Sequence, residues 1–368
     1  MSNQAHSRWR SALRLALGLA VSALFAWLSL RKINLPEVGR ALRQARVAYV
    51  LLGAVPFLAA WVLRGWRWKQ LLPGSAISTP RLTLILWVGN LGNLIFPLRL
   101  GDLLRAVMVS RTATTGTREY RESGNEAEGD NRPPISLGQA LASIVVEKLL
   151  DLLTILAYLV LALVLLPASF RPHWLRALGV TSGIVLGIGL VVTVLFAVFG
   201  PRATAWLERR ISTPAVGATG RSPLLGKLVR FAEAFALGTR GRGRNLLVAG
   251  GLSVVTWALE ACAYMAWAAA LKLALPFLPA LILLAVGNLS MLIPASPGAV
   301  GTYDYACSQA AGLLFRPAHA LALALLIHVC MLALVALLGL GAGLVEWLRW
   351  GVQPFRVRNS EFRIQNSE

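Results

Sequence analysis

The residues best placed to do chemistry lie at two breaks in otherwise apolar sequence. The first break reads Pro97-Leu98-Arg99-Leu100-Gly101-Asp102-Leu103-Leu104-Arg105. Pro and Gly stop a helix there, and Asp102 is a candidate cap for the half-helix that restarts. A helix start leaves backbone N–H groups unpaired and favours anions. Arg99 and Arg105 add fixed positive charge of the kind that holds a phosphate. The alternative is a loop at a membrane surface with its arginines in water.

The second break reads Pro294-Ala295-Ser296-Pro297-Gly298-Ala299-Val300-Gly301-Thr302-Tyr303-Asp304. Ser296 is a candidate cap with Pro297 in the first turn. Gly298 and Gly301 admit a lipid headgroup or another helix, and close helix packing through small residues explains them equally well.

Carboxylates form a further group. Ser143, Glu147, Asp151, Thr154 and Tyr158 share one helix face, with Lys148 beside them. Asp151 and Glu260 fall deep inside apolar stretches, where a carboxylate must find a partner or a watery cavity. Ion pairing within a bundle and a polar path for a headgroup or protons both remain open. Arg64-Gly65-Trp66-Arg67-Trp68-Lys69 mixes basic and aromatic residues and reads as an interfacial anchor, with headgroup contact by Arg64 and Arg67 as the alternative. Asn90, Asn93 and Asn288 lie just before the breaks and are candidates for further headgroup contacts.

The elements that must position these residues are transmembrane helices. Of 368 residues, 57% are hydrophobic and 14% charged, against roughly 25% charged in soluble proteins. Six apolar stretches are long enough to cross a hydrocarbon core of about 30 Å. They lie at about 13–31, 47–64, 139–166, 175–200, 245–271 and 317–347. The first opens on a basic start of Arg8, Arg10 and Arg14, runs to Leu30 without a cleavage signal and is expected to remain as a span. Interrupted segments at 82–97 and 277–294 run into the two breaks.

The interrupted segments resemble each other. Val88-Gly89-Asn90-Leu91 recurs as Val286-Gly287-Asn288-Leu289, and Leu94-Ile95 recurs as Leu292-Ile293. Each half, about 10–166 and 175–347, holds two spans, an interrupted hairpin and a span. Three spans between the hairpins put them on opposite faces. The expected fold is therefore all-α: a polytopic membrane helix bundle of two inverted repeats, each with a broken or re-entrant hairpin, within one domain over 1–350. Residues 111–138 are expected to form a flexible cytoplasmic loop and 354–368 a polar tail.

The net charge of +20 resides mainly in short segments between spans, which points to topology and anionic lipid headgroups rather than nucleic acid. Residues 201–244 carry nine basic residues and the 166–174 connection carries Arg171 alone. The first is then cytoplasmic, as are both termini, in a bacterial inner membrane. Residues 31–46, also basic, fall outside by this count and suggest a short interfacial helix. Cys262, Cys307 and Cys330 read as small core residues, the histidines are scattered, and neither a metal site nor an acid–His constellation is expected. No cofactor is expected, and G-x-x-x-x-G-K-[ST] does not occur.

In order and spacing, Arg64-x-x-Arg67-Trp68, Asn90-x-x-Asn93, Pro97-x-Arg99-x-Gly101-Asp102-x-x-Arg105, Glu147-Lys148-x-x-Asp151 and Pro294-x-Ser296-Pro297-Gly298-x-x-Gly301 resemble the flippase-like, or lysylphosphatidylglycerol synthase transmembrane region, family. The resemblance covers about 10–350. It implies a lipid translocase. Well-understood members move an aminoacylated phosphatidylglycerol to the outer leaflet and carry an added aminoacyl-transferase domain, which is not expected in this chain. Other members accompany polyprenyl-linked sugar or hopanoid pathways. The expected partner is a membrane phospholipid or polyprenyl-linked lipid, self-association being open. An integral-membrane enzyme or accessory protein of lipid or lipid-linked sugar biosynthesis is the competing class.

Overall fold

The computed structural model describes residues 20–31, 33–72, 77–96, 100–122, 135–167, 171–191, 243–293 and 296–350, without the side chains of 113–122, 349 and 350. Every regular element among them is helical. In chain order these are α1 (Ala20–Leu30), α2 (Leu35–Arg43), α3 (Val47–Leu71), α4 (Thr79–Ile95), α5 (Leu100–Glu122), α6 (Leu137–Leu165), α7 (His173–Val191), α8 (Gly243–Ala270), α9 (Phe277–Ser290), a 3-10 turn (Pro297–Ala299), α10 (Thr302–Ala311) and α11 (Pro317–Trp350).

Five of these, α3, α6, α7, α8 and α11, are long and apolar enough to cross a membrane. Of the expected first span, residues 20–30 are helical and the start lies outside the described residues, as does the end of the expected span 175–200. Large apolar side chains such as Val47, Leu51, Val55 and Val62 on α3, Leu337 and Leu344 on α11, and Ile184 and Ile188 on α7 are exposed. A surface of that kind is stable against lipid and costly against water. The chain is a multi-pass membrane protein.

Two helical hairpins interrupt the spans. At about 1.5 Å per residue, the 14 residues of α9 reach about 21 Å and the 10 of α10 about 15 Å. Neither alone reaches across a core of about 30 Å. Glycine permits the close return. A Cβ on Gly101 would lie 1.8 Å from the Gly89 carbonyl oxygen, so α5 starts against the bare backbone of α4. In the second hairpin, Gly287 faces Cys307 and Tyr303 in the same way, where a Cβ would meet sulfur at 2.6 Å.

Three expectations change, and a fourth is met. The Arg64–Lys69 segment is no boundary anchor, since α3 continues to Leu71 and buries Arg64, Arg67 and Trp68. Carboxylates from two other helices neutralise those arginines, which hydropathy alone does not register. Residues 111–122, expected within a loop, continue helix α5 from its apolar start. Cys262 is exposed rather than in the core, while Cys307 is buried and Cys330 intermediate. The basic 31–46 connection does contain a short helix, α2.

Candidate functional site

The core of the bundle is a buried ion network between α3, α5, α6 and α8. Its α6 contribution is the expected face. The Trp68 indole N–H donates to the Ser143 hydroxyl at 3.0 Å, and Tyr158 donates to the Val254 carbonyl at 2.6 Å. Between them, Glu147 and Asp151 meet the arginines. Arg67, wholly buried, reaches both oxygens of Asp151 through its two terminal nitrogens. It also lies 3.3 Å from Glu147 and donates to the Ser253 hydroxyl at 2.8 Å. The Trp257 indole N–H donates to Asp151 at 2.9 Å.

Arg64 pairs with Glu260 of α8 one turn away, its guanidinium held between the rings of Trp61 and Trp257 at 4.9 and 4.7 Å. Planar, weakly hydrated guanidinium suits such stacking.

Arg105 comes from the restarted helix α5. It is 1% exposed, sits 5.0 Å over the Trp68 ring, and contacts Glu147 at 3.2 Å and Asp102 at 3.2 Å. Its second terminal nitrogen, Nη2, has no hydrogen-bond partner among the described residues. Arg64, Arg67, Arg105 and Lys148 face Asp102, Glu147, Asp151 and Glu260, four charges of each sign. Paired charges of this kind are what a low-dielectric interior tolerates.

Not every expected role holds. Asp102 does not cap α5. Asn93 does, by accepting the Asp102 backbone N–H at 3.2 Å while its amide lies 3.3 Å from the Asp102 carboxylate. Asp102 is two residues inside the helix, so its own side chain turns to Arg105 and, at 3.9 Å, Lys148. The N–H of Asp102 is thus taken, and the site depends on the arginine rather than on that N–H. Asn90 and Asn288 occupy matching places and each donates to the carbonyl four residues back, on Leu86 and Leu284. Arg99 lies outside the described residues.

Ser296, Gly298 and Gly301 form a separate cluster. Ser296 does not cap α10; the Asp304 carboxylate takes the Gly301 N–H at 2.9 Å. The reason is spacing: the 3-10 turn intervenes, and α10 starts only at Thr302. The two breaks nonetheless touch, since a Cβ on Gly298 would lie 3.2 Å from Leu94 near the end of α4.

Sequence reasoning missed His328. Its imidazole lies 2.8 Å from Asp304 and 2.9 Å from the Gly298 carbonyl, so an acid–His pair does exist. The usable signal was a titratable residue in the middle of the apolar stretch 317–347, which needs a partner. Ser253 and Trp257 were missed as network members; neither type is unusual in a membrane helix.

Residues 15–339 match the family described as "Lysylphosphatidylglycerol synthase TM region". A curated relative, Glycosyltransferase AglD of Haloferax volcanii, is 28% identical over 353 residues, covering 88% of this chain and 53% of the relative. The chain spans about half the length of that relative.

Proposed function

Because the chain belongs to the lysylphosphatidylglycerol synthase TM region family, we propose that it moves a phosphate-bearing lipid headgroup between membrane leaflets. The observation that carries this reading is the position of Arg105. Each carboxylate it touches has a second cation: Glu147 has Arg67 at 3.3 Å, and Asp102 has Lys148 at 3.9 Å. Arg105 can therefore turn to an incoming anion while each carboxylate it leaves keeps a cation within 4 Å, Arg67 being shared with Asp151. Its Nη2 already has a free N–H to offer. A phosphate cannot enter hydrocarbon without replacing its water, and a guanidinium replaces part of that hydration in a planar, two-pronged way. Acyl or polyprenyl chains stay in lipid while the headgroup passes along Asp151, Glu147 and Glu260. The site is closed in this structure, so the α4–α5 hairpin moves against α6 to admit a headgroup.

The inverted-repeat arrangement belongs to this proposal. Its support is reciprocal packing. The first hairpin's α4 packs on α11, the last span of the second half, while the second hairpin's α9 packs on α6, the last span of the first. The equivalent spans α3 and α8 pack on each other. A two-fold relation between halves produces this pattern. Cytoplasmic termini in a bacterial inner membrane complete the proposal.

The test is headgroup translocation in reconstituted vesicles containing a fluorescent phosphatidylglycerol. A charge-assisted hydrogen bond is worth about 1.5–3 kcal/mol, so Arg105→Gln weakens headgroup binding by roughly 10- to 150-fold. Arg99→Gln is expected to reduce the rate as well. Arg349→Gln, near the end of α11, leaves it unchanged. Equal rates in all four proteins refute the site.

The relative's name favours a second reading, a part in making a lipid-linked sugar. That reading requires sugar transfer from a nucleotide sugar to a polyprenyl phosphate by the purified chain, with no change in translocation on loss of Arg105.

A further inference from the structure

The pair formed by Asp304 and His328 sits outside the ion network, and its hydrogen bonds fix how many protons it holds. The Gly298 carbonyl accepts a hydrogen bond, so the His328 Nε2 facing it at 2.9 Å carries a proton. The other ring nitrogen, Nδ1, faces Asp304 Oδ1 at 2.8 Å. One more proton must lie between these two atoms, on either side. With it, the pair is uncharged overall, as an imidazolium with a carboxylate or as a neutral ring with a carboxylic acid. Without it, an imidazole lone pair faces a carboxylate and a net negative charge is left among apolar helices. In that state the imidazole lone pair and the carboxylate repel each other in a low-dielectric interior, which pushes the two side chains apart.

The pair also holds the second break together. Asp304 Oδ2 accepts the Gly301 N–H at 2.9 Å, and His328 holds the Gly298 carbonyl. Between these two anchors the backbone turns through positive φ at Gly298 (74°), Ala299 (54°) and Gly301 (89°). Ala299 is not glycine, and its left-handed conformation is unfavourable unless the surroundings impose it. The imposing contacts are the two just described and the Ser296 N–H on the Ser22 hydroxyl of α1 at 2.9 Å.

The described side chains packed on the pair carry no formal charge. From α10, the Tyr303 ring lies tilted at 43° to the imidazole with centroids 4.6 Å apart, and its hydroxyl meets that of Tyr264 of α8 at 2.7 Å. Cys307, also of α10, lies beside Tyr303, and α4 and α11 bring Leu94 and Leu332 to Gly298. Tyr264 in turn feels the Arg64–Glu260 pair. Among the described residues, no other charged side chain bonds to Asp304 or His328.

We propose that Asp304 and His328 form a one-proton binding site, and that loss of this proton releases the 297–301 turn of the second hairpin. The ligand is a proton and the responding element is the strained turn. This goes beyond the translocase reading and needs no lipid substrate to test, so the two stand or fall separately.

The experiment uses full-length protein with 15N-histidine in lipid nanodiscs, followed by NMR between about pH 5 and pH 10. Replacing His6, His173 and His319 together by Gln leaves His328 as the one labelled ring without touching the site. The expected result is a protonated Nε2 throughout and a single step at Nδ1 that does not recur at the same pH in Asp304→Asn. A spin label at Val300→Cys, with Cys262 and Cys330 replaced by Ser, is expected to gain mobility across the same step. An Nδ1 that never changes, or the same step in Asp304→Asn, overturns the proton site. Label mobility that stays constant across the step overturns the release of the turn.

Discussion

Arg67 lies across Asp151 with one guanidinium nitrogen toward each carboxylate oxygen, 84 residues apart in sequence and both inside the bundle. Trp257 adds an N–H to the same carboxylate, and Ser253 takes one from the arginine. Removing one member of a buried pair leaves the other without compensation, at a cost of about 3–5 kcal/mol. Arg67→Met is expected to lose about that much. Arg67→Met with Asp151→Leu recovers part of it, because the stranded carboxylate is gone. Thermal unfolding in detergent, followed by tryptophan emission, measures both. A double variant no more stable than Arg67→Met alone refutes the pairing as the source of the loss.

The first hairpin makes a steric prediction. Gly101→Ala puts a methyl group 1.8 Å from the Gly89 oxygen, so the hairpin arms must part. Folded protein recovered by size exclusion is expected to fall sharply. Gly250→Ala, on α8, meets nothing within 4 Å and exchanges a flexible helical residue for a better helix former. It should gain about 0.5–1 kcal/mol. Similar yields from the two variants would show that the close approach is unimportant.

The proposed orientation is tested by labelling. With the native cysteines replaced, single cysteines at Ser123 and Ser222, both outside the described residues, are expected to react with an impermeant reagent only from the cytoplasmic side. Labelling of either from outside intact cells reverses the assignment.

Much of the architecture was legible because lipid imposes it. Apolar runs had to be helices, and polar residues within them had to find partners. On that ground the Ser143–Tyr158 face, the depth of Asp151 and Glu260, and the two hairpins were all readable. The short helix α2 was readable from the basic charge in its connection. What misled was the fall in hydropathy at Arg64, which put the end of α3 seven residues early. Hydropathy scores a charge as a boundary, and it carries no information about a carboxylate arriving from elsewhere in the chain.

From the sequence alone follow the membrane helices, the two breaks and the repeated Gly-Asn that marks them, since each depends on neighbours in the chain and on the solvent. Which charge meets which was decided by tertiary structure. Arg64 finds Glu260 across 196 residues, Asn93 displaces Asp102 as the cap, and His328 reaches back to Asp304 and Gly298. A buried charge must be compensated, but any opposite charge satisfies that demand equally in sequence. The packing of α3 on α8 and of α10 on α11 selects the partner, because ion pairs and hydrogen bonds act over a few ångströms and only the fold sets those distances.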